Sequence, residues 1–222
     1  MRRIVADYPL VIIALLLSLF GVAMVYSAGQ TDTPTAVARV YKSQVVWLIF
    51  GMIGAYGISR SSVRFIEWVT VPAYILSTVL LGLTLVVGKG AGTAASTKSW
   101  LAIGGVRIGQ PSELAKLTVV LMLARVLASR REPPKSLLDL WKPAVIVLIP
   151  WLIIMLQPDL GTGIVFIGIF FGMLYWSGVA WPLLLLLASP VVSLVLSFST
   201  GLWGAWFLVL LALFLYYRPY LV

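Results

Sequence analysis

The run PAVIVLIPWLIIMLQPDLGTGIVFIGIFFGMLYW, residues 143–176, decides how this chain folds. It is apolar throughout, except for the island Gln157-Pro158-Asp159 and the Gly161-Thr162-Gly163 just beyond it. A helix crosses a bilayer core in about 20 residues, so one helix over the whole run would be too long. Pro158 has no N–H with which to continue a helical ladder. The run therefore reads as a hairpin of two short helices, 143–157 and 160–176, turning at Asp159. A carboxylate there suits a helix cap, because it accepts hydrogen bonds from the first free backbone N–H groups. Gly161 and Gly163 would let another backbone or a substrate come close.

The rest of the chain extends this picture. It is 61% hydrophobic and only 10% charged over 222 residues, with a mean hydropathy of +1.06. Long runs without charge mean bilayer spans. A transmembrane barrel would alternate apolar and polar residues, whereas 183–187 is solidly apolar. Eight apolar segments follow: 8–28, 43–59, 69–87, 112–128, 143–157, 160–176, 181–199 and 202–217. The fold class is all-α, a polytopic transmembrane helical bundle of about eight spans. The first segment follows Arg2 and Arg3 but is too long for a signal peptide, so it counts as a span. With the N-terminus in the cytoplasm, nine Lys and Arg fall on the cytoplasmic side and five on the outer side. Residues 89–110 and the Asp159 turn then share the outer side. Residues 130–135, RREPPK, read as a plain basic cytoplasmic connector.

Residues 99–117, SWLAIGGVRIGQPSELAKL, hold the second polar island. Gly104-Gly105 between the short arms 100–103 and 106–108 predicts a small β-hairpin, since two glycines supply the positive φ of a two-residue turn. Gln110-Pro111-Ser112-Glu113 then starts a helix, with proline early and an acid in the first turn. Glu113 and Lys116 are three apart and could simply pair on one helix face. A lysine one turn inside a span is nonetheless expensive, about 2.5–3.5 kcal/mol at the bilayer centre, and such residues mark function. Trp100 suits the membrane interface, and Arg125, near the cytoplasmic end, can snorkel.

There are no cysteines and no histidines, which excludes disulfides, thiolate metal sites, haem ligation and imidazole acid–base chemistry. Chemistry must rest on Asp, Glu, Lys or Arg. The net charge of +9 suits anionic lipid or an anionic substrate. The basic residues are scattered over loops, so nucleic acid is not an expected partner.

The motifs 99–105, 110–117 and QPDLGT at 157–162, in this order, resemble the SEDS family of RodA, FtsW and SpoVE proteins. The QPDLGT form leans toward its rod-shape branch. The resemblance covers most of the chain up to about Ser199. It implies a peptidoglycan glycosyltransferase that polymerises lipid II at the outer face of the cytoplasmic (inner) membrane for cell elongation. The implied partners are lipid II itself, a class B penicillin-binding protein, the elongation machinery and the membrane. A sugar hydroxyl of one lipid II would attack the anomeric carbon of another, and undecaprenyl pyrophosphate would leave. A carboxylate must take the proton, and positive charge or a divalent cation must steady the pyrophosphate.

Carried onto this sequence, the candidate catalytic residues are Asp159, Lys116 and Glu113. Lys116, Arg107 and Lys98 suit the pyrophosphate, and Asp159 suits a cavity carboxylate held by Lys116. Trp100 suits a sugar or lipid contact, with Gln110, Ser112 and Gln157 as further substrate contacts. One departure stands out. The family carries a large outer loop in its C-terminal half with the acid proposed as base, and nothing after Ser199 resembles it. The chain therefore reads as a single SEDS-type membrane domain over 1–222, truncated at its C-terminus, with the base beyond Val222. Two rival readings are a lipid II translocase, which an inverted repeat would favour, and a non-catalytic scaffold for the penicillin-binding protein.

Overall fold

The computed structural model describes residues 8–30, 40–88, 99–103, 106–130, 132–134 and 136–217, with backbone alone at 102–103, 106–108 and 217. Eight α-helices lie among them: α1 (Tyr8–Ala28), α2 (Val40–Arg60), α3 (Val63–Val87), α4 (Pro111–Ala128), α5 (Trp141–Leu156), α6 (Leu160–Trp176), α7 (Trp181–Leu196) and α8 (Thr200–Tyr217). Each expected apolar segment is thus a helix, and the fold is an all-α membrane bundle. By length and composition, three stretches can cross a membrane: Tyr8–Ala28, Val63–Val87 and Leu138–Leu156. The last is α5 with the 3-10 turn Leu138–Leu140 ahead of it. Helices α6, α7 and α8 are apolar but shorter. In α4 the apolar run is broken by Glu113, Lys116 and Arg125.

The long apolar run turns as expected. Helix α5 stops at Leu156 and α6 starts at Leu160. A short antiparallel pair, β1 (Leu101–Ile103) and β2 (Val106–Gly109), precedes α4. It sets Ile103 opposite Val106 and Ala102 opposite Arg107, and its register shifts between Leu101 and Ala102. Helix α3 begins six residues before the expected 69. Arg64 and Glu67 end the apolar run but not the helix, because both are good helix formers.

Two compact units make up the chain, Met1–Val63 and Arg64–Val222. In the first, α1 lies against α2, and Tyr26 meets Tyr41 edge-on at 5.1 Å. Neither helix has a buried residue. The second holds the core: Leu81 of α3, Ala115, Val119 and Leu123 of α4, Ile154 of α5, and Phe166 and Leu174 of α6 are fully buried. Helix α4 is central to it, with Pro111, Ser112, Ala115, Thr118, Val119, Leu123 and Leu127 buried along one face.

Lipid tails are as apolar as leucine, so polar ties and close approach distinguish one helix pairing from another in a membrane. Several such ties hold α3, three of them along its middle and first half. Ser77 Oγ and Thr118 Oγ1 of α4 are 2.7 Å apart. Tyr74 Oη donates to Ile146 O of α5 at 2.9 Å. Arg125 Nη1 of α4 donates to Glu67 O at 2.8 Å.

The connector after α4 is more ordered than its basic sequence suggested. Asp139 Oδ2 accepts from Ser136 N at 3.2 Å and Ser136 Oγ at 3.1 Å, while Asp139 N donates back to Ser136 Oγ at 3.3 Å. This reciprocal arrangement is a capping box. Arg130 pairs with Asp139 across the connector at 3.2 Å. Helix α6 ends in a Schellman motif, with Gly178 N bonded to Tyr175 O and Val179 N to Leu174 O. Gly178 has φ +85°, which glycine adopts without penalty.

Candidate active site

The first turn of α4 and the α5–α6 turn meet through one hydrogen bond. Gln110 stands at the N-cap of α4 in extended backbone, and its side chain does not cap the helix. Pro111 follows, where a missing N–H costs nothing. The Gln110 side chain reaches across instead, and its Nε2 donates to Asp159 Oδ2 at 3.3 Å. Asp159 in turn caps α6: Oδ1 accepts from Thr162 N at 3.0 Å and Oδ2 from Thr162 Oγ1 at 2.8 Å. Both carboxylate oxygens are therefore engaged, and the group is partly buried.

Lys116 does not hold Asp159. Its ammonium pairs with Glu113 Oε1 at 2.8 Å, three residues back on the same helix. Closing that pair needs no second helix, which makes it the easiest partner to reach. Glu113 is 60% exposed at its side chain and Lys116 23%. The pair thus stands on the accessible face of α4, whereas the opposite face is core.

Gln157, expected among the substrate contacts, is turned inward. It is 1% exposed, and its Nε2 donates to Leu81 O at 3.0 Å and to Thr84 Oγ1 at 2.6 Å, both on α3. Ser112 is likewise 1% exposed, with no partner for its Oγ among the described residues. Trp100 is partly exposed just ahead of β1. The Arg107 side chain and all of Lys98 lie outside the described residues. A Cβ at Gly163 would meet the Met155 methyl of α5, the far end of a flexible side chain that can move aside. Gly161 has room, with only Asp159 Oδ1 at 3.8 Å from such a carbon.

No group of three or more acidic, Cys or His side chains able to hold a metal ion lies among the described residues. What the arrangement supplies is a fixed carboxylate at a helix start and an accessible ion pair one helix away. Thr84 and Leu81 were missed from sequence. A signal was available, because the buried polar residues Thr70, Ser77 and Thr84 recur every seventh position of α3.

The family model for FtsW/RodA/SpoVE cell cycle proteins matches residues 8–218. The chain belongs to this family. It is 32% identical over 206 residues to the probable peptidoglycan glycosyltransferase FtsW of Mycobacterium tuberculosis, covering 90% of this chain and 39% of that protein. The crystal structure of the Thermus thermophilus rod shape determining protein RodA matches with a TM-score of 0.70 at 29% identity, over 87% of this chain and 61% of that one. A chain of a peptidoglycan synthase complex, described as coordinating polymerization and crosslinking, matches with a TM-score of 0.60 at 32% identity, over 76% of this chain and 47% of that one. The chain spans from 39% to 50% of the length of the curated relatives it matches. Within the family, likeness to both FtsW and RodA proteins leaves the branch open.

Proposed function

We propose that this chain forms part of a peptidoglycan glycosyltransferase that polymerises lipid II, and that its work is elongation of the cell wall. The observation that carries the reading is the Gln110–Asp159 hydrogen bond. It joins the two motif-bearing segments of a family whose relatives carry the glycosyltransferase name. The similarity to a chain of a peptidoglycan synthase complex supports a class B penicillin-binding protein as partner. The charge balance of the loops supports a cytoplasmic N-terminus in the inner membrane, with 89–110 and the Asp159 turn on the outer side. The chain is one membrane domain of its family, in keeping with a match that runs through both compact units.

In this reading Lys116, with Arg107 and Lys98 from the preceding loop, neutralises the departing pyrophosphate. Charge fixed in advance where negative charge develops is the largest single contribution such a site makes. Asp159 keeps the start of α6 and the start of α4 in register, and Trp100 offers an amphipathic ring to sugar or lipid. The proton of the attacking hydroxyl goes to a carboxylate that this chain does not supply from Asp159, whose oxygens are already engaged by Thr162 and Gln110.

The test is polymerisation of labelled lipid II by this chain and by its gene product read to the natural stop codon, each with a class B partner. Glycan from the longer product alone is the expected result. Glycan from the 222-residue chain would move the base to Glu113 or Asp159. Transfer of lipid II across liposomes with no glycan from either would replace the polymerase by a translocase.

A further inference from the structure

Gln157 sits immediately before Pro158 and Asp159, yet its side chain points away from them into α3. Its amide gives one hydrogen to Leu81 O and the other to Thr84 Oγ1, at 3.0 and 2.6 Å. Thr84 Oγ1 donates onward to Leu81 O at 2.6 Å, so its hydroxyl proton is used and its lone pair is left to receive Gln157. All three groups are buried, Thr84 and Leu81 at 0% exposure and Gln157 at 1%. An amide turned over would place its oxygen against the Leu81 carbonyl, so the amide hydrogens face α3 and Oε1 is left without a partner among the described residues.

The clamp lies at the level of the candidate site. Ser77 of α3 touches Thr118 of α4 and Glu67 O accepts from Arg125, so the two helices run in opposite directions. Thr84, farther along α3 than Ser77, therefore lies toward the N-terminal end of α4. Gln157 closes α5 as its C-cap residue, and Asp159 opens α6 two residues later. A side chain locked to α3 on one side of Pro158 thus fixes the turn whose carboxylate meets Gln110 on the other.

We infer that Gln157, held by Thr84, is the positioning residue for Asp159, and not a substrate contact. Its consequence for turnover rests on the glycosyltransferase reading, while the clamp itself does not. Misplacement of a site group by about 1 Å from a distant change can cost about 100-fold in rate.

The experiment uses the gene product read to its stop codon, reconstituted in nanodiscs with its class B partner. Thr84→Val keeps shape and removes the acceptor, and Thr84→Ser keeps the acceptor. Hydrogen exchange is followed at the amides of Thr162 and Gly163, which bond to Asp159. Thr84→Val is expected to speed exchange at both by roughly three- to tenfold, and Thr84→Ser to restore protection. Lipid II polymerisation by the same variants should lose kcat by a similar factor with KM unchanged. In an Asp159→Ala background, which lacks the group being placed, Thr84→Val should cost kcat nothing more.

Unchanged exchange at Thr162 and Gly163 in Thr84→Val overturns the clamp. So does a kcat loss that persists in full in the Asp159→Ala background, because Thr84 would then act by another route. Faster exchange in a protein whose wild type makes no glycan would support the clamp and remove the glycosyltransferase.

Discussion

The start of α4 and the α5–α6 turn each carry a carboxylate, and the fold uses them in opposite ways. Glu113 stands on the accessible face of α4, with Lys116 as its ion-pair partner among the described residues. Asp159 is partly buried and receives three hydrogen bonds, two from Thr162 and one from Gln110. A local i,i+3 pair is cheap to open, since exposed pairs contribute only about 0.2–1 kcal/mol. A carboxylate held by three donors is not. The difference separates a charge that can be delivered to a ligand from one that organises backbone. It also explains why two acidic residues in conspicuous motifs need not share one role.

The strongest test of that division is Lys116→Ala in the full gene product. If Lys116 supplies the positive charge at the pyrophosphate, glycan synthesis should fall by about 100- to 1000-fold, as when a site donor to developing charge is lost. Membrane insertion should be intact, because the side chain faces away from the core. Morphological rescue of a strain lacking the chromosomal copy gives a second readout. Normal rod shape and normal polymerisation would remove Lys116 from the site.

Asp159 should behave differently toward two substitutions. Asp159→Ala removes the cap of α6 and the Gln110 link together, which should cost about 1 kcal/mol of stability for the cap alone. Asp159→Asn retains an oxygen for Thr162 N and should recover most of that loss. If the two variants unfold at the same temperature in detergent, the capping role is wrong. If Asn also restores full polymerisation, the charge of Asp159 is irrelevant and only its geometry matters. The contrast with Lys116→Ala then becomes sharper, since that variant should lose activity with little change in unfolding.

How far these features could be read beforehand depended on whether they were local. The α5–α6 break was legible because Pro158 cannot extend a helix, and the β1–β2 pair because Gly104-Gly105 sits between β-prone arms. Helix α3 was read six residues short because a hydropathy search stops at Arg64 and Glu67, whereas a helix does not. The Ser136–Asp139 capping box was passed over, though its Ser-x-x-Asp spacing is visible in the sequence. The approach of the two polar islands was expected, but the atoms that make it were not. Gln110 and Thr162 hold Asp159, and Lys116 is occupied on its own helix. Spacing within one helix favours the Glu113–Lys116 pair, and nothing in the spacing reveals which side chain crosses from another element. Gln157 shows the same limit, since its partners lie 76 and 73 positions away in the chain.

The smallest effect expected concerns the ties that set α3 against the helices around it. Ser77→Ala deletes the 2.7 Å bond to Thr118, which sits midway along the buried face of α4. Hydrogen bonds between membrane helices contribute about 0.6 kcal/mol on average, with a maximum near 1.7. Thr118 also donates to Ala115 O at 3.1 Å, so its hydroxyl stays bonded when Ser77 is removed. The loss should therefore fall at the low end, and the Ser77→Ala, Thr118→Val double variant should be little worse than either single one. Thermal unfolding of the three variants in one detergent measures this directly. A loss well above 2 kcal/mol for Ser77→Ala alone would mean that the bond sets the register of α3 on α4. The placement of Thr84 against Gln157 would then depend on Ser77, and exchange at the Asp159 turn should quicken in that variant as expected for Thr84→Val.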